Sequence, residues 1–400
     1  MTEFRKRPYL FSAIVGQDEF KTAYLANIVN PKIGGLLISG PKGTGKSTIV
    51  HSVGTILPKY EAIEGCHFNC DPERPEKFCT SCQTRDELTP VTRTMKIVNL
   101  PLSCTEDRLI GSIDIENLLK SGEKNVQVGL LGEANRNILY IDEVNLLPDH
   151  LVDDILDAAA SPWNTIEREG ISITHPDEFI LVGTMNPEEG ELRPQILDRF
   201  PLCVKVSSIH DPRQRVEIVK RNILHENDSN KFARIFKKDE ESCRKIILEA
   251  KTLLPGVEMN EAFLYSIAEA CGELKVDGQR PDIIIVKTAQ TIASLDRRTD
   301  VIENDILLAA QFSLSHRTRD GGLLEPPTKD EIKDVFTKSL RKETSAKPVV
   351  SEVRKFSNLS IDIDKESGSF LEDAEEEEDF SDVKPDDITL KKKMNRKKNL

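Results

Sequence analysis

The segment at residues 40–47 has the pattern G-x-x-x-x-G-K-[ST]. Glycines let a backbone wrap closely around phosphate oxygens, because a side chain would block both the approach and the positive-φ conformations. Free N–H groups at the start of a helix favour anionic oxygens. Lys46 would then contact the β- and γ-phosphates, and Ser47 would ligate Mg²⁺. The predicted phosphate-binding residues are Gly40, Pro41, Lys42, Gly43, Thr44, Gly45, Lys46, Ser47 and Thr48.

Two acidic residues follow the apolar segment ILYI at residues 138–141. Asp142, at the end of such a strand, would hold Mg²⁺ directly or through water. Glu143 would orient and activate the attacking water, which is the task of a general base. A strand followed by an acidic turn is common in isolation. Combined with the segment at 40–47, however, it predicts hydrolysis of ATP with Mg²⁺ as the accompanying ion.

Polar residues farther along the chain could complete such a site. Asn186 ends the apolar segment FILVGTMN and could hydrogen-bond the attacking water, although Asn-Pro alone would predict a simple turn. Arg199, with Arg193 as the second candidate, lies on the turn that follows and could project into the nucleotide of a neighbouring subunit. Arg280 begins a helical segment and could reach a γ-phosphate. The alternative for Arg199 and Arg193 is an ordinary ion pair with Asp198, Glu189 or Glu191, and for Arg280 it is a cap or a surface position.

A cysteine group lies between these motifs, with the spacing C-x3-C-x8-C-x2-C. Cys66, Cys70, Cys79 and Cys82 could close a tetrahedral zinc site, and His67 could replace one of them. The same four thiolates could hold an iron–sulfur cluster. Reduced thiols without a metal, used in redox regulation, are the third interpretation.

The elements that would position these residues indicate an α/β fold of the P-loop type. Short aliphatic runs with little polar alternation predict parallel strands that are buried on both faces. The intervening segments are long enough to supply crossover helices, so a three-layer core is expected. The predicted strands are residues 36–40, 96–102, 138–142, 179–186 and 203–208.

The composition and the apolar periodicity of the sequence change twice after this core. From residue 212 apolar residues recur at helical spacing, which predicts an all-helical lid domain at 212–327 after a core at 1–211. The cysteines fall in an insert at 64–84 of that core. Residues 328–400 are expected to form a charged, largely disordered tail, since acidic and basic blocks repel themselves and bury little.

Composition limits the classes of partner and location. The formal net charge of -13 argues against general binding to nucleic acid or to an anionic membrane surface. The sequence shows no apolar stretch of about 20 residues, the length that a membrane span needs. The first residues lack the pattern of a signal peptide, so a cytoplasmic protein with reduced cysteines is expected.

Together these motifs resemble those of the AAA+ I subunit of magnesium chelatase, over about residues 8–327. A generic AAA+ protein would share the phosphate loop and ILYIDE but not the longer stretches that carry the resemblance. Those stretches are TEDRLIGSIDIENLL, GLLGEANRNILYIDEVNLLPDHLVD, SPWNTIEREGISITHP, FILVGTMNPEEGELRPQILDRFPL and SLSHRTRDGGLLEPP.

The resemblance implies the nucleotide and Mg²⁺ roles already given, with Asn186 as the first sensor, Arg199 as the arginine finger and Arg280 as the second sensor. It also implies two insertions in the core, one near 102–133 and one hairpin at 163–176. Members of the family place the lid unusually, so the resemblance leaves open whether Arg280 acts on its own nucleotide or on a neighbour's.

The family assembles ATP-dependent rings, for which six subunits are the usual number. The resemblance therefore implies a motor that acts on an integrin-domain AAA+ partner and on a large tetrapyrrole-binding subunit where metal is inserted. Magnesium is the family default, and cobalt or nickel insertion into another tetrapyrrole stays open. The alternative function is a MoxR-like AAA+ chaperone that remodels an integrin-domain partner without a tetrapyrrole.

Overall fold

The computed structural model describes residues 7–113, 126–168, 171–190 and 192–343. Most of the predicted charged tail, from residue 344 onward, and part of the predicted insertion near 102–133 lie outside these residues. Among the described residues, no helix is both long enough and apolar enough to cross a membrane.

The strands of the described residues form one central parallel sheet and three antiparallel pairs. The strands are β1 (Gly35–Ser39), β2 (Lys59–Ile63), β3 (Pro90–Thr94), β4 (Ile97–Leu100), β5 (Gly111–Ile113), β6 (Val126–Val128), β7 (Ile138–Ile141), β8 (Trp163–Arg168), β9 (Ile171–Pro176), β10 (Ile180–Met185) and β11 (Leu202–Lys205).

The central sheet has the strand order β11-β1-β10-β7-β4, and each neighbouring pair is parallel. Its members are the five strands that the aliphatic runs predict, so the predicted α/β class is confirmed. Parallel strands end at the same edge of a sheet, and the segments after β1, β7 and β10 therefore meet there.

The helices of the described residues cover both faces of this sheet. They are α1 (Asp18–Val29), α2 (Lys46–Ser52), α3 (Thr80–Gln83), α4 (Glu106–Ile110), α5 (Leu130–Ala134), α6 (Asp149–Ala160), α7 (Pro194–Leu197), α8 (Pro212–Asn227), α9 (Ser229–Ile235), α10 (Lys237–Leu253), α11 (Glu261–Glu273), α12 (Arg280–Leu295), α13 (Glu303–Leu314) and α14 (Lys329–Glu343).

Side chains that alternate along the strands feed two hydrophobic cores. In β1, Leu36 and Ile38 pack in the core that contains α1, α2 and the helices of the C-terminal half. Leu37 points to the other face and packs with α5 and α6. A sheet buried on both faces explains why these strands read as continuous apolar runs.

The helical part begins at Pro212 and continues beyond the predicted end of the lid at 327. Helix α14 buries Ile332, Phe336 and Leu340, which recur every four residues and so lie on one face. The prediction that the charged tail starts at 328 is therefore corrected, since a stripe of three apolar residues is enough to dock an otherwise charged helix.

The antiparallel pairs mark the additions to the core. β2 and β3 bracket the cysteine insert, and β5 pairs with β6 within the segment near 102–133. β8 and β9 form a hairpin across 163–176.

Candidate functional site

The loop after β1 has the backbone conformations that only glycine adopts easily. Gly43 and Gly45 have φ angles of 77° and 81°, and a Cβ atom at either residue would meet nothing within 4 Å. Their side of the loop is therefore an open concavity lined by backbone N–H groups. At Gly40 the reason is different, because a Cβ atom there would collide with the carbonyl oxygen of Val206.

Lys46 lies against this loop at the start of α2. Its Nζ donates to the carbonyl oxygens of Gly40 at 2.6 Å and Pro41 at 2.8 Å. Burial lowers the pKa of the Lys46 ammonium, and the nearby carboxylates of Asp142 and Glu143 oppose that shift. The Lys46 ammonium thus lies at this concavity, where it can exchange its carbonyl contacts for contacts to phosphate oxygens.

Asp142, one residue after β7, is the centre of a hydrogen-bond network. Its Oδ1 accepts from Thr184 at 2.6 Å, from Tyr140 at 2.8 Å and from Ser47 at 3.3 Å. Desolvation opposes ionisation, but the hydrogen bonds from Thr184, Tyr140 and Ser47 outweigh it and hold the pKa of Asp142 below its ordinary value. An ionised carboxylate beside a serine hydroxyl is an oxygen set that suits Mg²⁺.

The sequence prediction missed Tyr140 and Thr184. A signal for Tyr140 existed, because residues 140 and 142 lie on the same side of a strand. Thr184 is fully buried in the neighbouring strand β10, where a polar side chain needs a partner. The register that places it beside Asp142 is a property of the sheet and could not be obtained from one strand.

Glu143 has a left-handed backbone conformation, with φ 56° and ψ 57°. This conformation is uncommon for a residue other than glycine and is frequent at functional sites. The Glu143 N–H donates to the Thr184 hydroxyl at 3.1 Å, which fixes the turn. The turn places Glu143 in the lining of the phosphate cavity.

Asn186 lies at the end of β10 and is 2% exposed. Its side-chain oxygen accepts from the Glu188 N–H at 3.3 Å, so the turn-forming role weighed for Asn-Pro is present. Asn186 also lines a cavity of about 250 Å³. The other lining residues are Lys42, Gly43, Thr44, Gly45, Lys46, Ser47, Thr48, Asp142 and Glu143.

A second, largely apolar pocket of about 420 Å³ adjoins the same loop. It shares Thr44 and Thr48 with the phosphate cavity, and its far walls come from Tyr9, Ile14 and Ile218. A base and ribose need such a surface next to a phosphate site. The sequence prediction did not include these residues, because they come together only when the N-terminal segment and α8 pack beside the loop.

The two finger candidates lie outside the phosphate cavity of their own chain. Arg199 Nη1 pairs with Asp157 at 2.8 Å and Asp153 at 3.3 Å, both on α6. Arg193 pairs with Asp149 at the start of the same helix. These ion pairs are with aspartates of α6, whereas the sequence suggested Asp198, Glu189 or Glu191 as partners, and 39% of the Arg199 side chain stays exposed.

Arg280 begins α12, close enough to Arg199 for the two positive charges to interact. Burial and the nearby positive charge of Arg199 lower the pKa of Arg280. Arg280 is not among the described residues that line either nucleotide pocket. The structure therefore brings the second sensor candidate near the finger candidate, and neither is among the residues that line the phosphate cavity.

The four cysteines of the insert converge on one point. Their Sγ atoms all lie within 4.8 Å of one another, and Cys66 and Cys79 are 3.9 Å apart. All four are buried with free thiols, whereas His67 is exposed and outside the group. The insert also packs on neighbouring elements, since Phe68 stacks on His175 of β9 at 4.5 Å between ring centroids.

A parallel sheet with a phosphate loop after β1, paired carboxylates after β7 and a polar sensor position after β10 defines a P-loop AAA+ ATPase. The family described as AAA lid domain matches residues 264–335, and the family described as magnesium chelatase, subunit ChlI, matches residues 10–195. The chain belongs to the magnesium-chelatase ChlI family.

Relatives support this assignment over most of their length. The magnesium-chelatase subunit ChlI homolog of Methanocaldococcus jannaschii is 49% identical over 80% of this chain and 87% of the relative. The magnesium-chelatase subunit ChlI of Synechocystis is 43% identical over 83% of this chain and 94% of the relative.

Two solved structures are similar to this chain over most of its length, and the second of them shows a likeness of fold. A chain from a single-particle cryo-EM reconstruction of the complex between subunits BchI and BchD of magnesium chelatase is 40% identical, with a TM-score of 0.48, over 82% of this chain and all of that chain. A crystal structure from Cytophaga hutchinsonii has a TM-score of 0.52 at 18% identity, over 83% of this chain and 91% of that chain.

Proposed function

We propose that the chain is the ATP-hydrolysing motor subunit of a magnesium-chelatase-like complex. The observation that carries this proposal is one cavity lined by Lys46, Ser47, Asp142, Glu143 and Asn186, in a chain whose relatives are subunits of magnesium chelatase. Metal insertion would then occur on partner subunits, and this chain would supply the energy of ATP hydrolysis.

The residues divide the work of hydrolysis. The loop N–H groups and Lys46 would hold the triphosphate, and Ser47 with Asp142 would hold Mg²⁺. When bound there, the ion would supply positive charge next to the phosphate oxygens. Glu143 takes the proton of the attacking water, and Asn186 orients that water. The Thr184 hydroxyl donates to Asp142 and accepts from the Glu143 N–H, so the metal-binding and base positions are fixed relative to each other.

The arginines require a neighbouring subunit. Since Arg199, Arg193 and Arg280 lie away from their own phosphate loop, each nucleotide would be completed in a homo-oligomeric ring by arginines of the adjacent chain. Arg199 would stabilise charge on the transferred phosphoryl group, an effect worth about 10³-fold or more. Arg280, beside it, would act on the same neighbouring nucleotide. A hexamer is the expected ring.

The partners follow from the family. Relatives named as subunits of magnesium chelatase imply further chains in the complex. We assign these roles to an integrin-domain AAA+ subunit and to a large subunit that binds the tetrapyrrole. The MoxR-like chaperone function is less well supported, because relatives at 43–49% identity carry the chelatase name.

Two variants test the motor. Glu143→Gln should keep Mg·ATP affinity while turnover falls by about 10²-fold or more, since the base is lost and the binding groups remain. Arg199→Ala should also keep affinity while turnover falls by about 10³-fold. Arg297→Ala, which removes an exposed lid arginine paired with Glu249, is the control and should hydrolyse ATP normally.

Mixing the two inactive variants tests the ring. An Arg199→Ala subunit keeps its own base, and a Glu143→Gln neighbour offers it an intact arginine, so the mixture should regain part of the turnover. Phosphate release is the measurement, with native mass showing that rings form. If rings form and bind Mg·ATP but the mixture stays inactive, Arg199 does not act across the interface.

We further propose that the four cysteines hold one zinc ion as a structural site. Four sulfurs at about 2.3 Å from one zinc lie about 3.8 Å from each other, which the 3.9 Å between Cys66 and Cys79 matches, and all four sulfurs lie within 4.8 Å of one another. An iron–sulfur cluster places several irons between its cysteines and so spreads the sulfurs farther apart. The Cys79 N–H donates to the Cys70 sulfur at 3.2 Å, a contact that stabilises a thiolate.

Metal analysis tests this site. The purified chain should contain about one zinc per chain and no acid-labile sulfide. Cys79→Ser should lose the zinc, whereas Cys104→Ser, at a buried cysteine outside the group, should keep it. Iron with sulfide in the wild-type chain would replace the zinc assignment, and a metal-free wild-type chain would remove it.

A further inference from the structure

The backbone on both sides of Arg199 is held by side chains that follow helix α13. Arg317 donates from Nη1 to the carbonyl oxygen of Asp198 at 2.8 Å and from Nη2 to that of Phe200 at 3.4 Å. His316 donates from Nε2 to the Phe200 carbonyl oxygen at 2.8 Å. Both carbonyls that flank Arg199 are therefore fixed from the helical part of the chain.

The carboxylate of Asp198 is held by the same segment. Its Oδ1 accepts from the Thr318 N–H at 3.1 Å, and its Oδ2 accepts from the Thr318 hydroxyl at 2.6 Å. Three consecutive residues, 316–318, thus bind the residues on both sides of Arg199 and leave the guanidinium of Arg199 itself directed elsewhere, toward α6.

The burial of the Arg317 guanidinium in this arrangement costs free energy. Arg317 is 4% exposed, and its Nε donates to the Ser313 carbonyl oxygen at 3.0 Å. Burial, together with the nearby charge of Arg280, lowers the pKa of Arg317 to about 10. A buried guanidinium loses much hydration, and backbone carbonyls repay only part of that loss. Lysine could not hold two carbonyls with the same planar geometry.

We propose that Arg317, with His316 and Thr318, is a positioning residue for the arginine finger. The segment 316–318 fixes the position and direction of the Arg199 side chain at the subunit surface. The helical lid therefore controls whether the nucleotide of a neighbouring subunit is contacted by this arginine. This inference rests on the proposed function, in which Arg199 acts on the adjacent subunit. The sequence SHRT at 315–318 thus acts through Arg199 and does not contact the nucleotide of its own chain.

Variants of the segment make the proposal testable. Arg317→Lys keeps the charge and loses the two-carbonyl fork, so turnover should fall by about 10²-fold, the effect of a misplacement near 1 Å, with Mg·ATP affinity unchanged. Thr318→Val removes the hydroxyl contacts to Asp198 and, at 3.4 Å, to Asp277, keeps the backbone N–H contact to Asp198, and should give a smaller loss in the same direction. Arg298→Lys, at a lid arginine paired with Asp305, is the matched control and should retain turnover.

A mixture of subunits separates positioning from simple destabilisation. Arg317→Lys subunits should regain turnover when mixed with Glu143→Gln subunits, because the latter offer a correctly held Arg199. A misfolded lid would damage the variant's own pocket, and no neighbour could restore it. Thermal unfolding of each variant accompanies the assay, and Thr318→Val carries the test if Arg317→Lys does not fold.

The outcomes are distinct. Wild-type turnover in both variants, or no recovery on mixing while Arg199→Ala does recover with Glu143→Gln, overturns the positioning role and leaves the motor intact. Failure of the Arg199→Ala mixture as well removes the arginine exchange between subunits, and the positioning role with it.

Discussion

At the scale of single residues, Asp177 stands apart from the catalytic carboxylates. It is 2% exposed, and neither carboxylate oxygen has a hydrogen-bond partner among the described residues. Burial raises the pKa of Asp177 to about 8, so the folded chain holds it protonated at neutral pH. Asp142 shows the opposite result, because three donors hold its pKa below the ordinary value.

The difference predicts a pH-dependent loss of stability. Below about pH 4 the Asp177 carboxyl is neutral in both states, and from there to about pH 8 only the unfolded state ionises. Stability contributed by the neutral form is therefore lost as pH rises through that window. Asp177→Asn should leave stability nearly unchanged at pH 4 and raise it at pH 8 by about 5 kcal/mol relative to wild type at the same pH, since each unit of pKa difference is worth about 1.4 kcal/mol.

Denaturant unfolding at the two pH values measures this effect. Asp86→Asn, at an exposed aspartate, is the control and should show no such difference between the two pH values. An Asp177→Asn advantage of equal size at pH 4 and pH 8 would show that the carboxyl does not titrate in this window.

The nucleotide residues could be predicted from sequence because their signal is local. The loop at 40–47 and the pair Asp142–Glu143 combine residue type, spacing and a preceding strand within short segments. Thr184 could not be assigned in this way, since its contact with Asp142 depends on the pairing of β7 with β10, whereas Tyr140 reaches Asp142 along its own strand. The apolar pocket beside the loop depends on packing between segments that are still farther apart in the sequence.

At the scale of elements, helix α14 packs on the fold although its charged composition predicts a solvated segment. The sequence KDEIKDVFTKSLRKE contains nine charged residues in fifteen, which is typical of a solvated segment. Its three buried apolar residues lie on one face, and the buried Ser339 donates from Oγ to the Ser266 carbonyl oxygen of α11 at 3.0 Å. Periodicity, not total charge, decides whether such a helix packs.

Removing one apolar side chain of α14 should measure that packing. Phe336 is fully buried, so Phe336→Ala should lower the free energy of unfolding by about 3–5 kcal/mol, through lost burial and a cavity. Asp334→Ala, at an exposed position of the same helix, is the control and should change it by less than about 0.5 kcal/mol. Denaturant unfolding is the measurement, and equal effects of the two substitutions would place α14 outside the cooperative fold.

At the scale of the whole molecule, the proposed active site is divided between chains. The phosphate loop, the carboxylates and Asn186 line one pocket, whereas Arg199 and Arg280 lie together elsewhere on the same chain. Motif order along the sequence could name all of these residues. It could not give their separation, because the placement of the helical part relative to the sheet is set by side-chain packing far from the motifs.

Strand β11 has a consequence for how such a molecule works in a closed assembly. It begins two residues after Phe200 and ends just before Val206, whose N–H donates to the Ser39 carbonyl oxygen at 2.7 Å beside Gly40. Arg199 and the backbone that supports the chain's own phosphate loop thus lie at opposite ends of β11, which is about 13 Å long. In the proposed ring, β11 would therefore connect the nucleotide site of each subunit to the arginine that the subunit presents to its neighbour.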